Sequence, residues 1–271
     1  MIDQMYYSNG YQESKSKFHS YRNVENSGKF ITPYLQQNYK MLDVGCGPGS
    51  ITLDFAKNYL TKGGSVVGIE PIQQLVDTCN ELKQNLQVDN AKFQLGSIYK
   101  IPFPDNCFDL VYCNQVIVHL DDPIRGLKEL LRVVRPGGFI CLRDADLQST
   151  IITPINYEIL KHYSIVITGN NRSSDIRAGR NLKSKILKAG YDANKIKDIS
   201  IDPSLIWRKT DKRIWSDINL ERIKSSNEIA YPLDFGRTGE IEKQVMKLYP
   251  EWVEDDDSLI SIPNFQIVYR K

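Results

Sequence analysis

The stretch Leu42-Asp43-Val44-Gly45-Cys46-Gly47-Pro48-Gly49-Ser50 decides the fold of this chain, because an apolar run in it ends in three glycines at alternate positions. A second apolar run, Val66-Val67-Gly68-Ile69, ends at Glu70. Together the two stretches predict a strand, a glycine turn, a helix and a second strand whose end carries a carboxylate. A doubly wound sheet holds a nucleoside with these parts, so we expect a cofactor that contains adenosine.

Apolar runs and helix-like segments alternate along the first half of the chain. The apolar runs lie at 41–44, 66–69, 91–95, 108–113 and 139–143, and the helix-like segments lie at 50–60, 71–87 and 123–134. Ser50 is expected to cap the first of these helices, and Pro71 and Pro123 fit the first turns of the other two, where a missing N–H costs nothing. This alternation predicts a Rossmann-like, doubly wound α/β sheet that is mostly parallel.

The pattern becomes less regular after residue 146. Helices are predicted at 154–167, 180–189, 210–226 and 238–254, and strands at 196–201 and 262–269, the last of which we expect to be antiparallel. We therefore divide the chain into an N-terminal arm and helix (1–39), a cofactor-binding core (40–146) and a C-terminal part (147–271). This last part is predicted to complete the sheet and to add helical insertions that cap the substrate site.

The composition of the 271 residues excludes several classes of function. The net charge of +2 gives no field that would gather a nucleic acid. No apolar run reaches the roughly twenty residues that a membrane span requires, and the first residues lack the pattern of a signal peptide. The five cysteines form no C-x-x-C pair, so we expect no metal site, and reduced thiols in the cytoplasm.

The spacing of the glycine turn separates two kinds of cofactor. Ser50 stands where a dinucleotide-binding turn would carry its last glycine, and Asp43 adds a negative charge that repels phosphate. Both features favour a nucleoside that bears an amino acid over NAD, since a carboxylate can receive an ammonium group or orient the amides of the turn. The alternative is that these glycines serve strand-to-helix packing alone.

Glu70 is the candidate for holding the sugar of that nucleoside. Its two oxygens can accept hydrogen bonds from both ribose hydroxyls, each worth roughly 1.5–3 kcal/mol. The alternative is a solvated carboxylate that opens the following helix, where the helix dipole would contribute only about 0.3–1 kcal/mol. The position after a glycine turn and a strand favours the ribose role.

Four blocks of the sequence together resemble one enzyme family. The stretch 42–49 resembles motif I of the class I S-adenosylmethionine-dependent methyltransferases, and Ile69-Glu70-Pro71 resembles their acidic motif II. The stretches 96–109 and 131–139 are similar to the third motif and to the motif that follows the sheet. The likeness covers about residues 19–145 and is strongest to the methyltransferases of quinone biosynthesis and related small-molecule enzymes, whose lead-in segment resembles His19-Ser20-Tyr21-Arg22.

This resemblance implies S-adenosylmethionine as the cofactor and a small molecule as the methyl acceptor. The residues that it places around the cofactor are Gly45, Gly47 and Gly49 at the methionine part, Glu70 at the ribose, Pro71 and Ile72 beside the adenine, Ser97 and Ile98 at its edge, and Asn114 after the fourth strand. His19 and Arg22 are candidates for a lid over the cofactor carboxylate or the acceptor. Many relatives have Asp where this chain has Ser97, so adenine recognition is expected to rest more on the Ile98 backbone and on stacking.

Methyl transfer from a sulfonium needs alignment more than acid or base, because the leaving group is built into the cofactor. Orientation supplies roughly 7–11 kcal/mol of such a barrier. A base is needed only if the acceptor must lose a proton. His119 is then the candidate, the alternative being that it shapes the turn before Pro123.

Other functions stay open at this point. An NAD-dependent oxidoreductase would share the strand, turn and acidic strand end, but it should carry G-x-G-x-x-G and a catalytic Tyr-Lys or His arrangement, which the sequence lacks. A non-catalytic regulatory subunit would keep the cofactor site without turnover. A nucleic-acid or protein methyltransferase is disfavoured because Gln115-Val116-Ile117, and no Asn-Pro-Pro-Tyr loop, follows the fourth strand. No pattern indicates the acceptor, the methylated atom or the oligomeric state.

Overall fold

A computed structural model describes residues 20–163, 175–225 and 239–271 of the chain. The strands in these ranges are β1 (Lys40–Val44), β2 (Ser65–Glu70), β3 (Ala91–Leu95), β4 (Phe108–Asn114), β5 (Val134–Ala145), β6 (Ile151–Thr153), β7 (Ile196–Ile206) and β8 (Leu259–Arg270). The helices are α1 (Ser50–Asp54), α2 (Gln73–Leu86), α3 (Pro123–Val133), α4 (Ala178–Lys188), α5 (Lys209–Ser225) and α6 (Gly239–Glu254). The strands form one sheet in the order β3-β2-β1-β4-β5-β8-β6, and β7 also pairs with β8.

Strands β1 to β5 are parallel, since β1 pairs with β2 and β4, β2 with β3, and β4 with β5. Strand β8 runs antiparallel to β5, and β6 and β7 run antiparallel to β8. This arrangement confirms the predicted α/β class, mostly parallel with an antiparallel C-terminal strand. The sequence did not predict β6, because three residues leave no alternation to recognise.

Helices cover both faces of the sheet. Helices α3 and α4 bury residues such as Leu130 and Ile186 against one face. Helices α1 and α2 cover the other face together with the segment 24–34, in which Val24 and Ile31 are fully buried. The polar N-terminal region therefore contributes to the core from residue 24 onward.

The structure corrects two of the predicted helix starts. Helix α1 begins at Ser50 itself and its N-cap is Gly49, which has the left-handed φ of 81° and offers no side chain as a cap. Helix α2 begins at Gln73, so Pro71 lies in the preceding turn and not in the first helical turn. Pro123 does begin α3, and Asp122 caps it by accepting a hydrogen bond from the backbone N–H of Arg125 at 3.1 Å.

The C-terminal part forms a third apolar cluster. Its buried residues come from the segment 145–163, from α5 and α6 and from the ends of β7 and β8, and Trp252 is fully buried within it. Helix α4, in contrast, packs against the sheet beside α3. That α5 and α6 cap the substrate site stays a prediction, as does the division of the chain into three parts.

Some predicted features lie outside the described residues, namely His19 and the last part of the helix expected at 154–167. Within the described ranges, no helix combines the length and the apolar composition that crossing a bilayer would require.

Candidate functional site

A cleft opens at the carboxyl ends of β1, β2 and β4. The order β2-β1-β4 reverses the direction of chain progression between β1 and β4, and doubly wound sheets bind their ligands at such a point. The residues that line the cleft come from the N-terminal segment, the ends of the three strands, the glycine turn, the start of α1 and the loop after β4. They are Arg22, Asp43, Gly45, Cys46, Gly47, Pro48, Ser50, Ile51, Glu70, Tyr112, Asn114, Gln115, Val116 and His119. Seven of the residues predicted from sequence are therefore brought together here, namely Arg22, Asp43, Gly45, Gly47, Glu70, Asn114 and His119.

The glycine turn is tied to the end of β2. The backbone N–H groups of Gly45 and Cys46 both donate to the carbonyl oxygen of Ile69, at 2.8 and 3.1 Å. The three glycines of the turn have left-handed φ angles of 72°, 54° and 81°, which L side chains rarely adopt. The turn thus needs glycine for its backbone path before any ligand is considered.

The three glycines face different surroundings. A Cβ atom on Gly47 would meet nothing within 4 Å, so this position opens onto the cleft. A Cβ on Gly45 would lie 2.4 Å from Cγ2 of Val116, and one on Gly49 would lie 2.8 Å from Sγ of Cys79. Gly47 leaves room for a ligand, whereas Gly45 and Gly49 also permit close packing.

Glu70 ends β2 with its carboxylate buried beneath the glycine turn. Its Oε2 accepts a hydrogen bond from the backbone N–H of Gly47 at 3.1 Å, while its Oε1 is buried and has no partner among the described residues. Burial raises the pKa of Glu70 to about 7, although the N–H groups of Gly47 and Ile72 work in the opposite direction. A ligand that donates a hydroxyl would satisfy the vacant oxygen, which otherwise carries the cost of an unmade hydrogen bond.

Asp43 lies at the end of β1, also buried. Its Oδ2 accepts a hydrogen bond from the hydroxyl of Thr52 at 2.5 Å, which ties the strand to α1. Burial raises the pKa of Asp43 to about 7, and the bond from Thr52 lowers it in part. Asp43 therefore has a structural partner as well as its place in the wall of the cleft.

The residues predicted for the adenine side lie outside the cleft lining. The backbone N–H of Gly96 donates to the carbonyl of Glu70 at 3.1 Å, which places the turn after β3 beside the end of β2. The Ser97 hydroxyl accepts from the backbone N–H of Tyr99 at 3.1 Å, and the Ile98 side chain is buried in the core. Pro71, Ile72 and Gly49 likewise do not contribute to the lining.

Gln115 is a site residue that the sequence did not reveal. It has a left-handed φ of 54°, and its side chain bonds two residues that are distant in the sequence. Its Oε1 accepts from Nη2 of Arg22 at 2.6 Å, and its Nε2 donates to Oδ1 of Asn264 at 3.1 Å. The N-terminal segment, the end of β4 and β8 are joined through this one side chain. One feature of the sequence could have identified Gln115, namely its position directly after Asn114, where β4 ends at the cleft.

His119 lies half-buried in the short helical turn Ile117–His119, which follows β4. Asp144 of β5 holds this turn, because its Oδ1 accepts a hydrogen bond from the backbone N–H of Val118 at 3.1 Å. His119 lines the cleft and also belongs to this turn, so its position is compatible with both predicted roles, the base and the turn residue. Among the described residues, no group of three or more His, Cys, Asp or Glu side chains is placed to hold a metal ion.

A family model and two relatives of known sequence all identify this chain as similar to methyltransferases. A family model described as a methyltransferase domain matches residues 42–142. An uncharacterised methyltransferase of Schizosaccharomyces pombe is 37% identical over 99% of this chain and 98% of its own length. A ubiquinone/menaquinone biosynthesis C-methyltransferase of Rickettsia bellii is 30% identical over 54% of this chain and 62% of its own length.

Among solved structures, a phosphoethanolamine N-methyltransferase of Haemonchus contortus, bound to S-adenosylhomocysteine, is similar with a TM-score of 0.58. At 15% identity over 96% of this chain and 58% of that one, the likeness supports the fold alone. The family model covers the glycine turn, Glu70 and β4, and the yeast relative extends the similarity to nearly the whole chain. Fold, cleft and relatives agree, and the chain belongs to the class I S-adenosylmethionine-dependent methyltransferases, with S-adenosylmethionine as its cofactor.

Proposed function

We propose that this protein transfers a methyl group to a small-molecule acceptor by direct displacement, mainly by holding acceptor and cofactor in line. The observation that carries the proposal is Oε1 of Glu70, a buried acceptor atom to which no described residue donates, beside a glycine with open space in front of it. A small-molecule acceptor is supported by the Rickettsia relative, whose name places it in quinone biosynthesis.

In this proposal the end of β2 and the glycine turn hold the cofactor. Glu70 binds the ribose, Gly45 and Gly47 border the methionine part, and Asp43 faces its ammonium group. The adenine lies toward Pro71 and Ile72, with the turn at Ser97 and Ile98 at its edge, and Gly49 keeps the turn packed on α2. Asn114 lies beside the reacting end. When bound, S-adenosylmethionine supplies an electrophilic methyl group on a sulfonium, with a neutral thioether as the leaving group.

The chain's own contribution is orientation and the exclusion of water. Arg22 donates a hydrogen bond to Gln115 and both line the cleft, so the N-terminal segment forms part of the wall that we assign to the acceptor. Holding two reactants in line supplies roughly 7–11 kcal/mol of a displacement barrier. Where the acceptor must lose a proton, His119 is the residue on this wall that can take it.

The cofactor assignment is tested by calorimetric titration with S-adenosylhomocysteine and, separately, with NAD. We expect binding of the first and no heat from the second. Binding of NAD without binding of S-adenosylhomocysteine would contradict methyl transfer and favour the NAD-dependent oxidoreductase.

Turnover is tested by incubating the protein with S-adenosylmethionine labelled in its methyl group and a metabolite extract. Labelled product of low molecular mass supports the proposal. Tight binding of S-adenosylhomocysteine with no labelled product would instead indicate a regulatory subunit that keeps the site without catalysis.

A further inference from the structure

A buried polar cluster lies on the acceptor side of the cleft, at the carboxyl ends of β4 and β5 and in the middle of β8. In the sheet register Asn114 lies opposite Arg143, and Ala145 lies opposite Asn264. The cluster consists of Asn114, Gln115, Arg143, Ser204 and Asn264, of which Asn114, Arg143 and Asn264 are buried. Core strands seldom carry such groups, so their presence beside the cleft needs a reason.

Arg143 is a buried cation whose charge is only partly compensated. Its Nη1 and Nη2 donate to Oδ1 of Asn114 and Oγ of Ser204, both at 3.3 Å, and its Nε has no partner among the described residues. The nearest carboxylate oxygen, on Asp202, lies 3.8 Å from Nη2, and the Asp202 side chain is half exposed. Burial lowers the pKa of Arg143 despite the opposing influence of Tyr112, Asp202 and Asp144. Buried charges are normally paired at closer range, and within the described ranges this half-exposed carboxylate is the one ion-pair partner of Arg143.

The bond from Arg143 also sets which way the Asn114 amide points. A guanidinium has only donors, so the group of Asn114 that faces it must be the oxygen, and the amide nitrogen is left for the cleft. Both polar atoms of the Gln115 amide already have partners, since its oxygen accepts from Arg22 and its nitrogen donates to Asn264. Arg22 and Asn114 thus present N–H donors on this wall.

The carboxylates that line the cleft come from β1 and β2, whereas Asn114 and Gln115 come from the end of β4 and the residue after it. Asp43 is bonded to Thr52, Glu70 is bonded to Gly47, and both have been assigned to the cofactor side. A ligand at the acceptor end therefore meets donors and positive charge, which suit an oxygen anion and disfavour an ammonium group.

We propose that the methyl acceptor carries an oxyanion, a carboxylate or an enolate, close to the atom that is methylated. Arg22 and Asn114 contact this oxyanion, and Arg143 is a positioning residue that orients the Asn114 amide and supplies the compensating charge. This inference rests on the proposed methyl transfer.

The first test uses the unmodified protein and a metabolite extract separated on an anion-exchange column. Each fraction is incubated with S-adenosylmethionine labelled in its methyl group. We expect the labelled product to form from the retained, anionic fraction. Product from the unretained fraction alone would overturn the anionic acceptor and leave methyl transfer standing, whereas no product from any fraction would overturn both.

The second test compares variants with the acceptor purified from the retained fraction. Arg143→Gln is expected to raise KM for the acceptor by about tenfold or more, since the compensating charge and the fixed orientation of the Asn114 amide are both lost, while the affinity for S-adenosylhomocysteine is unchanged. Arg143→Lys keeps the charge and should recover part of this loss. Arg270→Gln, which removes an exposed charge where β8 meets the start of β5, is the matched control and should behave as wild type.

An unchanged KM in folded Arg143→Gln would show that the cluster is structural only. If Arg143→Gln does not fold, as judged by its thermal melt, Arg143→Lys and the fractionation decide the question. In that case a KM for Arg143→Lys raised by about tenfold or more, although the charge is kept, would contradict a role for the charge.

Discussion

In the proposed function the cleft has a cofactor wall, formed by the glycine turn and Glu70, and an acceptor wall, formed by Arg22, Asn114 and Gln115. The two walls are built over very different distances in the sequence. On the cofactor side, Gly47 and Glu70 are joined by a hydrogen bond across 23 positions. On the acceptor side, Gln115 is joined to Arg22 across 93 positions and to Asn264 across 149. The cofactor wall is therefore one contiguous block of strand, turn, helix and strand, and the acceptor wall is assembled only when β8 and the N-terminal segment reach β4.

This difference implies that the two walls can be altered separately. A change at Gly49 acts on a local unit, because its packing partners Cys79 and Phe93 lie on α2 and β3, the elements that flank β2. A change at Gln115 or Arg143 acts through contacts between distant segments. Mutations on one wall are expected to affect the binding of one ligand and to leave the other nearly unchanged.

The largest effect is expected from exchanging glycines of the turn. Gly49→Ala combines a left-handed φ with a Cβ placed 2.8 Å from Sγ of Cys79, so we expect a loss of about 2–5 kcal/mol in unfolding free energy. Gly47→Ala meets no atom within 4 Å and should lose only about 1–2 kcal/mol from backbone strain. Urea denaturation measures both.

The two glycine variants also distinguish a loss of packing from a loss of contact with the ligand. Gly47→Ala is expected to weaken the binding of S-adenosylhomocysteine beyond what its stability loss explains, because the new methyl group occupies space that the ligand needs. Binding by folded Gly47→Ala as tight as that of wild type would mean that the ligand does not approach this backbone.

Glu70→Ala is the next largest change and tests the cofactor wall directly. Loss of a charge-assisted acceptor should weaken the binding of S-adenosylhomocysteine by about 1.5–3 kcal/mol, measured by calorimetry. Glu81→Ala, at an exposed position on α2, is the matched control and should bind as wild type does. Unchanged affinity in folded Glu70→Ala would remove the ribose role.

The position of Gly45, Gly47 and Glu70 in one cleft was predictable because the signals for it are local, and their binding of the cofactor stays a prediction. Strand, glycine turn and acidic strand end lie within one run of sequence, and each residue type has a physical reason to be there. The helix starts were misplaced by a few residues, because Gly49 caps α1 through its backbone and Pro71 belongs to the turn. Such details depend on how the turn packs, which the pattern does not contain.

The acceptor wall was not predictable to the same degree. His119 and Arg22 were singled out, but Gln115, Arg143 and Asn264 gain their meaning only from the register of β4, β5 and β8. One signal was present, since Arg143 and Asp144 interrupt an otherwise apolar strand, and a charge at such a position needs a partner or a function.

A third prediction uses pH to sharpen the difference between the walls. Burial raises the pKa of Glu70 to about 7 in the ligand-free protein, so the carboxyl group is protonated increasingly below that value. The ribose hydroxyls need the carboxylate as acceptor, so binding releases a proton and affinity should fall about tenfold per pH unit below 7 and level off above it. Calorimetry at about pH 6 and about pH 8 measures this.

The control for the pH prediction is Glu70→Gln, which has no proton to release at this position. Asp43, whose pKa burial also raises to about 7, remains in that variant and accounts for whatever slope persists. Equal wild-type affinity at the two pH values would show that the ligand does not bind the ionised form of Glu70.

The smallest effect is expected at Gln115, where the acceptor wall is held together. Gln115→Asn keeps a residue that tolerates the left-handed φ of 54°, but its shorter side chain cannot bond both Arg22 and Asn264. We expect a loss of about 0.5–1.5 kcal/mol in unfolding free energy for the one hydrogen bond that is broken. Gln84→Asn, at an exposed position on α2, is the matched control.

Gln115→Asn also tests whether the walls are separable in function. The affinity for S-adenosylhomocysteine should stay near that of wild type, because Glu70 and the glycine turn are untouched, while kcat/KM for the acceptor should fall. A loss of cofactor affinity as large as that of Glu70→Ala would mean that the N-terminal segment holds the cofactor through Gln115, and that the long-range contacts belong to both ligands.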